Sequence, residues 1–296
     1  MKVLQKQKEI YEEHLQPVEP IHLALDQKGF RYATRLGELK LKQMVSSLGL
    51  AKGVSALDVG CRSGRFLNKL SALYGVRGVG VDISETQLFE NKKQNPFAHF
   101  FLVGDAHFLP FRDSSFKFVT CMDVLEHLVS VEKAFHEFGR ILSPGGSLFI
   151  YAVSRRNHYT WHRFLQRVSH GRLGIDRGHY GDHDPERFVD PREAVRWVEE
   201  AGLKVYQLQP FHAFFTLAFD ESYPQILQIL YGLFRRPFSQ EPKNEALSQI
   251  PRHIPFPLKC ASLPPRFFFP VLKFLDIPWT HWGLGNGFYL IAKKPA

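Results

Sequence analysis

The stretch ALDVGCRSGRF, Ala56–Phe66, combines an apolar strand, a turn with two glycines and the start of a helix. Backbone N–H groups at a helix N-terminus can bind a polar ligand, and glycine lets that ligand approach the main chain closely. The dinucleotide fingerprint G-x-G-x-x-G is not satisfied, because Arg62 stands at its second glycine position. A nicotinamide or flavin cofactor is therefore disfavoured.

Acidic residues occur at the ends of the first three predicted strands. Asp82 lies about 20 residues beyond the loop, where a carboxylate can accept hydrogen bonds from ribose hydroxyls. Asp105, in the GDA sequence of the third strand, could accept a bond from an adenine amino group. Because the carboxyl ends of neighbouring parallel strands share one crevice, Asp58, Asp82 and Asp105 are expected to converge.

The elements that position these residues alternate between short apolar strands and amphipathic helices, a pattern typical of a parallel sheet covered by helices. Strands are predicted at ALDVG, RGVGVDIS, HFFLVGDA, FKFVTCMD, SLFIYAV, KVYQLQPF and GFYLIAKKP. Helices are predicted at GRFLNKLSALYG, ETQLFENKKQ, SVEKAFHEFGRILSPGG and DPREAVRWVEEAGL. The last helix has Asp190 as N-cap, Pro191 at its first position and Gly202 as its stop.

These elements predict an α/β fold, a seven-stranded and mostly parallel doubly wound sheet, divided into four segments. Residues 1–54 form an N-terminal helical cap, and residues 55–211 form the α/β domain. Residues 212–285, rich in Phe, Pro and Leu, form a helical insertion that serves as an acceptor pocket or lid. Residues 286–296 supply the last strand, at the sheet edge or in a hairpin with the sixth strand.

The composition of the chain limits which binding partners and which cellular compartment are expected. A net charge of +9 favours anionic partners, but the basic residues are scattered and no nucleic-acid module accompanies them. No nucleic-acid partner is expected. Three cysteines in no paired spacing and an N-terminus without an apolar signal core predict a cytoplasmic protein without disulfides. No apolar stretch reaches the roughly 20 residues that span a bilayer.

Four ordered motifs carry a family resemblance: LDVGCRSGRF, VGVDIS, GDAHFLPFRDSSFKFVTCMDVLEHL and ILSPGGSLFI. Together they resemble the class I S-adenosylmethionine-dependent methyltransferases, particularly the small-molecule group that includes quinone-biosynthesis methyltransferases. The resemblance is good from Ser55 to Val153 and looser through KVYQLQP and GFYLIAKKP. It implies the Rossmann-like methyltransferase fold, S-adenosyl-L-methionine as cofactor and S-adenosyl-L-homocysteine as product. The implied acceptor is a small molecule, apolar or aromatic, methylated on oxygen, nitrogen or carbon.

The resemblance also assigns cofactor-binding residues. Facing the methionine part would be Asp58 and the backbone of Gly60, Cys61 and Gly64, with Met122 and Asp123 beneath it. The nucleoside would be held by Asp82 at the ribose, Ile83 on the adenine ring, and Asp105 and Ala106 at the adenine edge. Methyl transfer is a nucleophilic displacement at a carbon that the sulfonium activates, so the protein mainly aligns the acceptor and excludes water, and no metal is obligatory.

His127, in VLEHL after the fourth strand, is the candidate general base for a phenol or amine acceptor. Alternatively, His127 satisfies a backbone carbonyl at a helix start, and Glu126 is likewise structural. Arg31 and Tyr32 could clamp the cofactor carboxylate, because arginine forms bidentate pairs with carboxylates. The competing interpretation of this pair is a solvated helix end.

The polar loop 155–190 is predicted to cover the acceptor pocket, with Tyr159, Trp161, His179 and His183 as candidate contacts. The spacing of its histidines does not place them on one ligand face, so no metal site is predicted. The insertion has three interpretations: core and lid, an apolar acceptor pocket, or a surface that contacts lipid as a peripheral anchor. A pocket or lid is preferred, because prolines interrupt any amphipathic helix there.

Two other functions stay open at this stage. Arg62 in the loop motivates a catalytically inactive partner or regulatory protein that keeps the sheet. A nicotinamide-dependent oxidoreductase is weakened by the missing fingerprint glycine. The oligomeric state cannot be derived from these patterns.

Overall fold

The computed structural model describes residues 53–62, 64–76, 78–88, 99–170, 187–219 and 270–296. They form a seven-stranded sheet in the order β3-β2-β1-β4-β5-β7-β6. Its strands are β1 Ala56–Val59, β2 Gly78–Asp82, β3 Phe100–Val103, β4 Phe116–Met122, β5 Leu142–Val153, β6 Lys204–Phe211 and β7 Gly287–Lys293. The predicted α/β fold with a seven-stranded, mostly parallel sheet is confirmed.

Strand direction brings most strand ends to one edge of the sheet. Strands β1 to β5 pair in parallel, whereas β7 runs antiparallel between β5 and β6. The prediction that the last strand pairs with the sixth is therefore confirmed, and its alternative placement at the sheet edge is wrong. Since β6 is parallel to β5, the carboxyl ends of β1 to β6 share one edge, called the carboxyl edge below.

The helices are α1 Arg65–Tyr74, α2 Val131–Ile141, α3 Trp161–Val168, α4 Pro191–Glu200 and α5 Ile277–His281. Residues 85–88, 214–219 and 270–275 are also helical. The predicted boundaries of α4 are confirmed: the Asp190 side chain accepts a hydrogen bond from the Arg192 nitrogen at 2.8 Å, and Pro191 opens the helix. Gly202 follows its end with a φ of 74°.

The predicted helix SVEKAFHEFGRILSPGG is wrong in its last five residues. Helix α2 ends at Ile141, and β5 takes the next residues. Pro144 does not continue a helix, and Gly145 adopts a left-handed φ of 72°. Gly145 N donates to Lys294 O at 3.0 Å, and Lys294 N donates to Gly146 O at 2.9 Å. These hydrogen bonds at the end of β7 therefore hold residues 142–146 in the sheet and not in a helix.

The core lies on both faces of the sheet. Fully buried side chains on one face include Leu57, Val119, Phe135, Phe138 and Leu290, and those on the other include Leu67, Leu70, Phe118 and Phe149. The predicted N-terminal helices and residues 220–269 lie outside the described residues, so the division into four segments stays a prediction. Among the residues that the structure describes, no helix has the length and apolarity needed to cross a membrane.

Candidate functional site

The loop after β1 is bonded to the end of β2. Gly60 N and Cys61 N donate to Val81 O at 2.7 and 3.1 Å, and Arg62 N donates to Asp82 Oδ2 at 2.8 Å. The N–H groups of Gly60 and Cys61, which were expected to face a ligand, are therefore engaged within the protein, and Gly64 N likewise donates to Cys61 O at 2.7 Å. Helix α1, which follows, begins after Gly64 and has no side-chain hydrogen bond at its N-cap.

Two residues of this loop have left-handed backbone angles. Gly60 has a φ of 71°, and a Cβ there would lie 2.2 Å from Val124 Cγ2. Arg62 has a φ of 40°, not the ordinary angle that an arginine prefers, and its side chain is exposed. The arginine therefore keeps the glycine-like path of the backbone while its side chain extends to solvent.

Asp58 is buried at the end of β1 beside Thr120 of β4. The Thr120 hydroxyl donates to Asp58 Oδ1 at 2.7 Å, and the two residues pair in register. Burial raises the pKa of Asp58 to about 7; the hydrogen bond from Thr120 opposes this rise, and the charge of Asp82 adds to it. Thr120 was not predicted, although it is the one polar residue in the buried run FVTC.

Asp82 connects three loops at the carboxyl edge. Its Oδ1 accepts from Ser84 N at 2.9 Å, its Oδ2 accepts from Arg62 N, and its carbonyl accepts from Gly104 N at 2.9 Å. A carboxylate oxygen can accept two hydrogen bonds, so each oxygen keeps one place for a hydroxyl group. Ile83, the proposed adenine contact, is half-buried beside it.

Asp105 is held by His107 in the loop between β3 and β4. Asp105 Oδ1 lies 2.5 Å from His107 Nδ1 and accepts from His107 N at 2.9 Å. Ser130 N donates to His107 Nε2 at 3.1 Å, so Nε2 is the acceptor and Nδ1 carries the proton. This chain orients the Asp105 carboxylate against the start of α2, and Ala106 is buried beside it. His107 was not predicted; the D-x-H spacing was its signal.

Arg140 of α2 clamps the same loop. Its guanidinium donates to Leu109 O at 3.0 Å, Phe111 O at 2.7 Å and Asp113 Oδ1 at 2.8 Å. It also binds both carboxylate oxygens of Glu137 at 2.7 Å, and Leu109 N donates to Glu137 Oε2 at 2.7 Å. The hydrogen bond from Arg140 lowers the pKa of Glu137. The loop that carries Asp105 is thereby held on α2.

The end of β4 places four polar or sulfur-bearing side chains at the carboxyl edge. Met122 is half-buried, and Asp123 is exposed with a left-handed φ of 61°. Glu126 is 2% exposed, and neither carboxylate oxygen has a hydrogen-bond partner among the described residues. Burial, followed by the charge of Asp123, raises the pKa of Glu126 well above its ordinary value. His127 is half-buried and closes the 3-10 turn that contains Glu126.

Two of the four candidate acceptor contacts lie within the described residues. Tyr159 is exposed, and Trp161 belongs to an aromatic cluster formed by Trp161, Phe164, Phe214, Phe215 and Trp279. Near them, the Nδ2 of buried Asn157 has no hydrogen-bond partner in the described part of the chain. The remaining candidates His179 and His183, and the pair Arg31 and Tyr32, lie outside the described residues.

The loops after β1 to β4 form one continuous site. Asp58, Cys61 and Asp82 are close enough that the two carboxylates help to raise the pKa of the Cys61 thiol, after burial. Gly60 touches Val124, which brings the end of β4 to the same loop. Within the described residues, no group of three or more His, Cys, Asp or Glu side chains could hold a metal ion. The individual ligand contacts stay predictions.

Comparisons with known proteins agree with this geometry. A family model described as a methyltransferase domain matches residues 57–150. The ubiquinone biosynthesis O-methyltransferase of Coxiella burnetii (strain Dugway 5J108-111) is 27% identical over 180 residues, covering 60% of this chain and 74% of that protein.

Two solved structures are similar in fold. Phosphoethanolamine N-methyltransferase 2 of Haemonchus contortus, in complex with S-adenosyl-L-methionine, has a TM-score of 0.51 at 18% identity, over 87% of this chain and 52% of that one. The [4+2]-cyclase SpnF has a TM-score of 0.52 at 17% identity, over 89% and 83%. Since proteins of different activity share the fold, the fold alone does not define the reaction.

Proposed function

Because this chain is a class I S-adenosylmethionine-dependent methyltransferase, we propose that it methylates an oxygen of a small, apolar aromatic acceptor. S-adenosyl-L-methionine is the cofactor and supplies a methyl group activated by its sulfonium. The choice of oxygen is supported by the relatives named O-methyltransferases. Transfer to nitrogen or carbon is the alternative that the experiment below distinguishes.

The described residues fit this cofactor by the chemistry of their acceptors. Asp82 keeps one free acceptor place on each oxygen, which suits two neighbouring ribose hydroxyls. Asp105 is oriented by His107, so its second oxygen can accept from an adenine amino group. Gly60 lets the backbone approach a ligand without a side chain in between. The Asp82 geometry is the observation that carries the cofactor assignment.

The acceptor class is supported by the aromatic cluster. Helix α3 follows the carboxyl end of β5, and residues 214–219 follow that of β6, so both segments leave the sheet at the carboxyl edge. They contribute Trp161 and Phe214, whose ring centroids are 5.6 Å apart. An apolar wall at this edge suits an apolar aromatic acceptor, and an acceptor of this kind partitions into lipid. We propose no nucleic-acid partner.

His127 is the proposed general base. Glu126, one residue earlier, is 2% exposed, and burial, which raises its pKa, disfavours its charged form, so it is the less accessible of the two groups. His127 is half-buried at the carboxyl edge, and an imidazole suits proton transfer near neutral pH. We also propose a cytoplasmic location, which the free thiols of Cys61 and Cys121 support.

Calorimetric titration tests the cofactor site. Wild type, Asp82→Ala and the matched control Glu85→Ala, an exposed acid nearby, are titrated with S-adenosyl-L-methionine and S-adenosyl-L-homocysteine. Asp82→Ala is expected to bind at least about 10-fold more weakly, because hydrogen bonds to charged groups contribute about 1.5–3 kcal/mol each. Glu85→Ala should bind like wild type. Equal affinity of all three proteins would exclude Asp82 as a cofactor-binding residue.

A panel of acceptors tests the reaction. Apolar phenols, amines and carbon acids are assayed for S-adenosyl-L-homocysteine release, and the methylated atom is identified in the product. Phenols are expected to react, and His127→Gln is expected to lower kcat about 100-fold with loss of the wild-type pH profile. Methylation of amines or carbon alone would contradict the proposal. An unchanged pH profile in His127→Gln would exclude that residue as the base.

A further inference from the structure

We propose that one end of the molecule docks on the surface of an anionic lipid bilayer. The docking surface, called the apolar face below, is formed by the exposed side chains of Phe164, Val271, Phe274, Leu275, Ile277 and Trp282. This inference rests on packing, exposure and charge, and it does not depend on methyl transfer.

The two segments that carry the apolar face are joined through the aromatic cluster. Phe164 of α3 packs on Phe214 with ring centroids 5.7 Å apart, and Phe214 stacks on Trp279 of α5 at 6.2 Å. Buried Asp276 accepts hydrogen bonds from Phe215 N at 2.8 Å and from Thr216 N at 2.9 Å. Asp276 and Trp279 therefore hold residues 270–282 against residues 214–216.

The apolar face exposes unusually large side chains. Phe274 is 69% exposed and Trp282 is 65% exposed. The exposed fractions of the aliphatic members are 53% for Val271, 41% for Leu275 and 52% for Ile277. Exposed apolar side chains that group into a patch mark interaction sites in soluble proteins. Phenylalanine and tryptophan on a short helical segment, with no spanning helix among the described residues, suit insertion at the headgroup level.

Charge favours lipid over a neutral partner. Segments 155–170, 212–219 and 270–286 contain five Lys or Arg residues and a single acid, Asp276, which is buried. Arg155 pairs with Glu193 outside these segments at 3.3 Å. Arg156 Nη1 lies 3.3 Å from the position that a Cβ on Gly283 would occupy, next to Trp282. Basic residues that adjoin the apolar face in the chain are complementary to anionic headgroups.

Vesicle sedimentation tests the proposal. Wild type and the double variant Phe274→Ser, Trp282→Ser are mixed with phosphatidylcholine vesicles with and without phosphatidylglycerol. The matched control is Phe100→Ser, which removes a 71% exposed ring from β3 at the opposite edge of the sheet. Cofactor affinity and thermal unfolding establish that each variant is folded.

Wild type and Phe100→Ser are expected to bind phosphatidylglycerol vesicles, with weaker binding at high salt. The double variant should bind at least about 10-fold more weakly, because two apolar rings no longer leave water on binding. Absence of wild-type binding, or equal binding of the double variant, would overturn the proposal. Sedimentation velocity adds a further arm: a wild-type dimer that the double variant abolishes, without vesicle binding, would assign the face to a second copy instead.

Discussion

The backbone nitrogen of Arg62 donates a hydrogen bond to Asp82 Oδ2 across 2.8 Å, and this bond ties the loop after β1 to the end of β2. Arg62 reaches that position with a φ of 40°, in the left-handed region that favours glycine. This position therefore favours glycine because of its backbone conformation and not because space is lacking, since the Arg62 side chain is exposed.

Substitution of Arg62 should reveal this conformational preference. Arg62→Gly is expected to be more stable than Arg62→Val by about 1 kcal/mol, because a branched side chain is strained at a positive φ, whereas glycine loses more freedom on folding. The free energy of unfolding in urea, measured for both variants, checks the difference. Equal stability, or greater stability of the valine variant, would contradict the left-handed conformation.

The fold was predictable because its signals are local. The alternation of apolar strands and amphipathic helices, with glycine at the first turn, predicts the parallel sheet and the convergence of Asp58, Asp82 and Asp105. The end of α2 was mispredicted because the apolar spacing continues past Ile141, while the chain path is decided by hydrogen bonds between Gly145, Gly146 and the distant Lys294.

The site was predictable in outline but not in its supporting contacts. Thr120 meets Asp58 only through strand pairing, and Arg140 reaches Leu109 across 31 positions of sequence. Such contacts depend on tertiary packing, so they cannot be predicted from the spacing of residues in the sequence. The engagement of Gly60 N by the β2 carbonyl was missed for the same reason.

Ionisation of Asp58 should make stability fall as pH rises. Its pKa is about 7 in the folded protein against 3.8 for the free side chain, so the folded state holds an extra proton between these values. The stability that this proton contributes is complete below pH 3.8 and is lost as pH approaches 7, at up to about 1.4 kcal/mol per pH unit. Asp58→Asn keeps an acceptor for Thr120 but cannot ionise.

The stability of Asp58→Asn relative to wild type is therefore expected to increase as pH rises through this window. Urea unfolding at a series of pH values measures it, with Glu85→Gln as the control for an exposed acid. A difference between Asp58→Asn and wild type that stays constant with pH would show that Asp58 does not titrate in this way.

Loss of the Arg140 clamp should loosen the loop that carries Asp105. Arg140→Met removes the bonds to Leu109 O and Phe111 O and is expected to cost about 1–3 kcal/mol of unfolding free energy. Hydrogen exchange at the Leu109 amide should become faster. The control Arg112→Met changes an exposed arginine of the same loop and should stay within about 0.5 kcal/mol of wild type. Equal effects of the two variants would contradict the clamp.

A comparison of Gly60 with Gly145 distinguishes the steric cost of a side chain from the cost of a left-handed backbone angle. Gly60 and Gly145 have φ values of 71° and 72°, but a Cβ at Gly60 meets Val124 at 2.2 Å, whereas one at Gly145 has nothing within 4 Å. Gly145→Ala should cost about 1–2 kcal/mol through strain alone, and Gly60→Ala about 1–3 kcal/mol more. In a Val124→Ala background, the cost of Gly60→Ala should fall toward that of Gly145→Ala. Urea unfolding of the four-protein cycle measures this coupling, and its absence would mean that the β1 loop and the β4 end are not in contact.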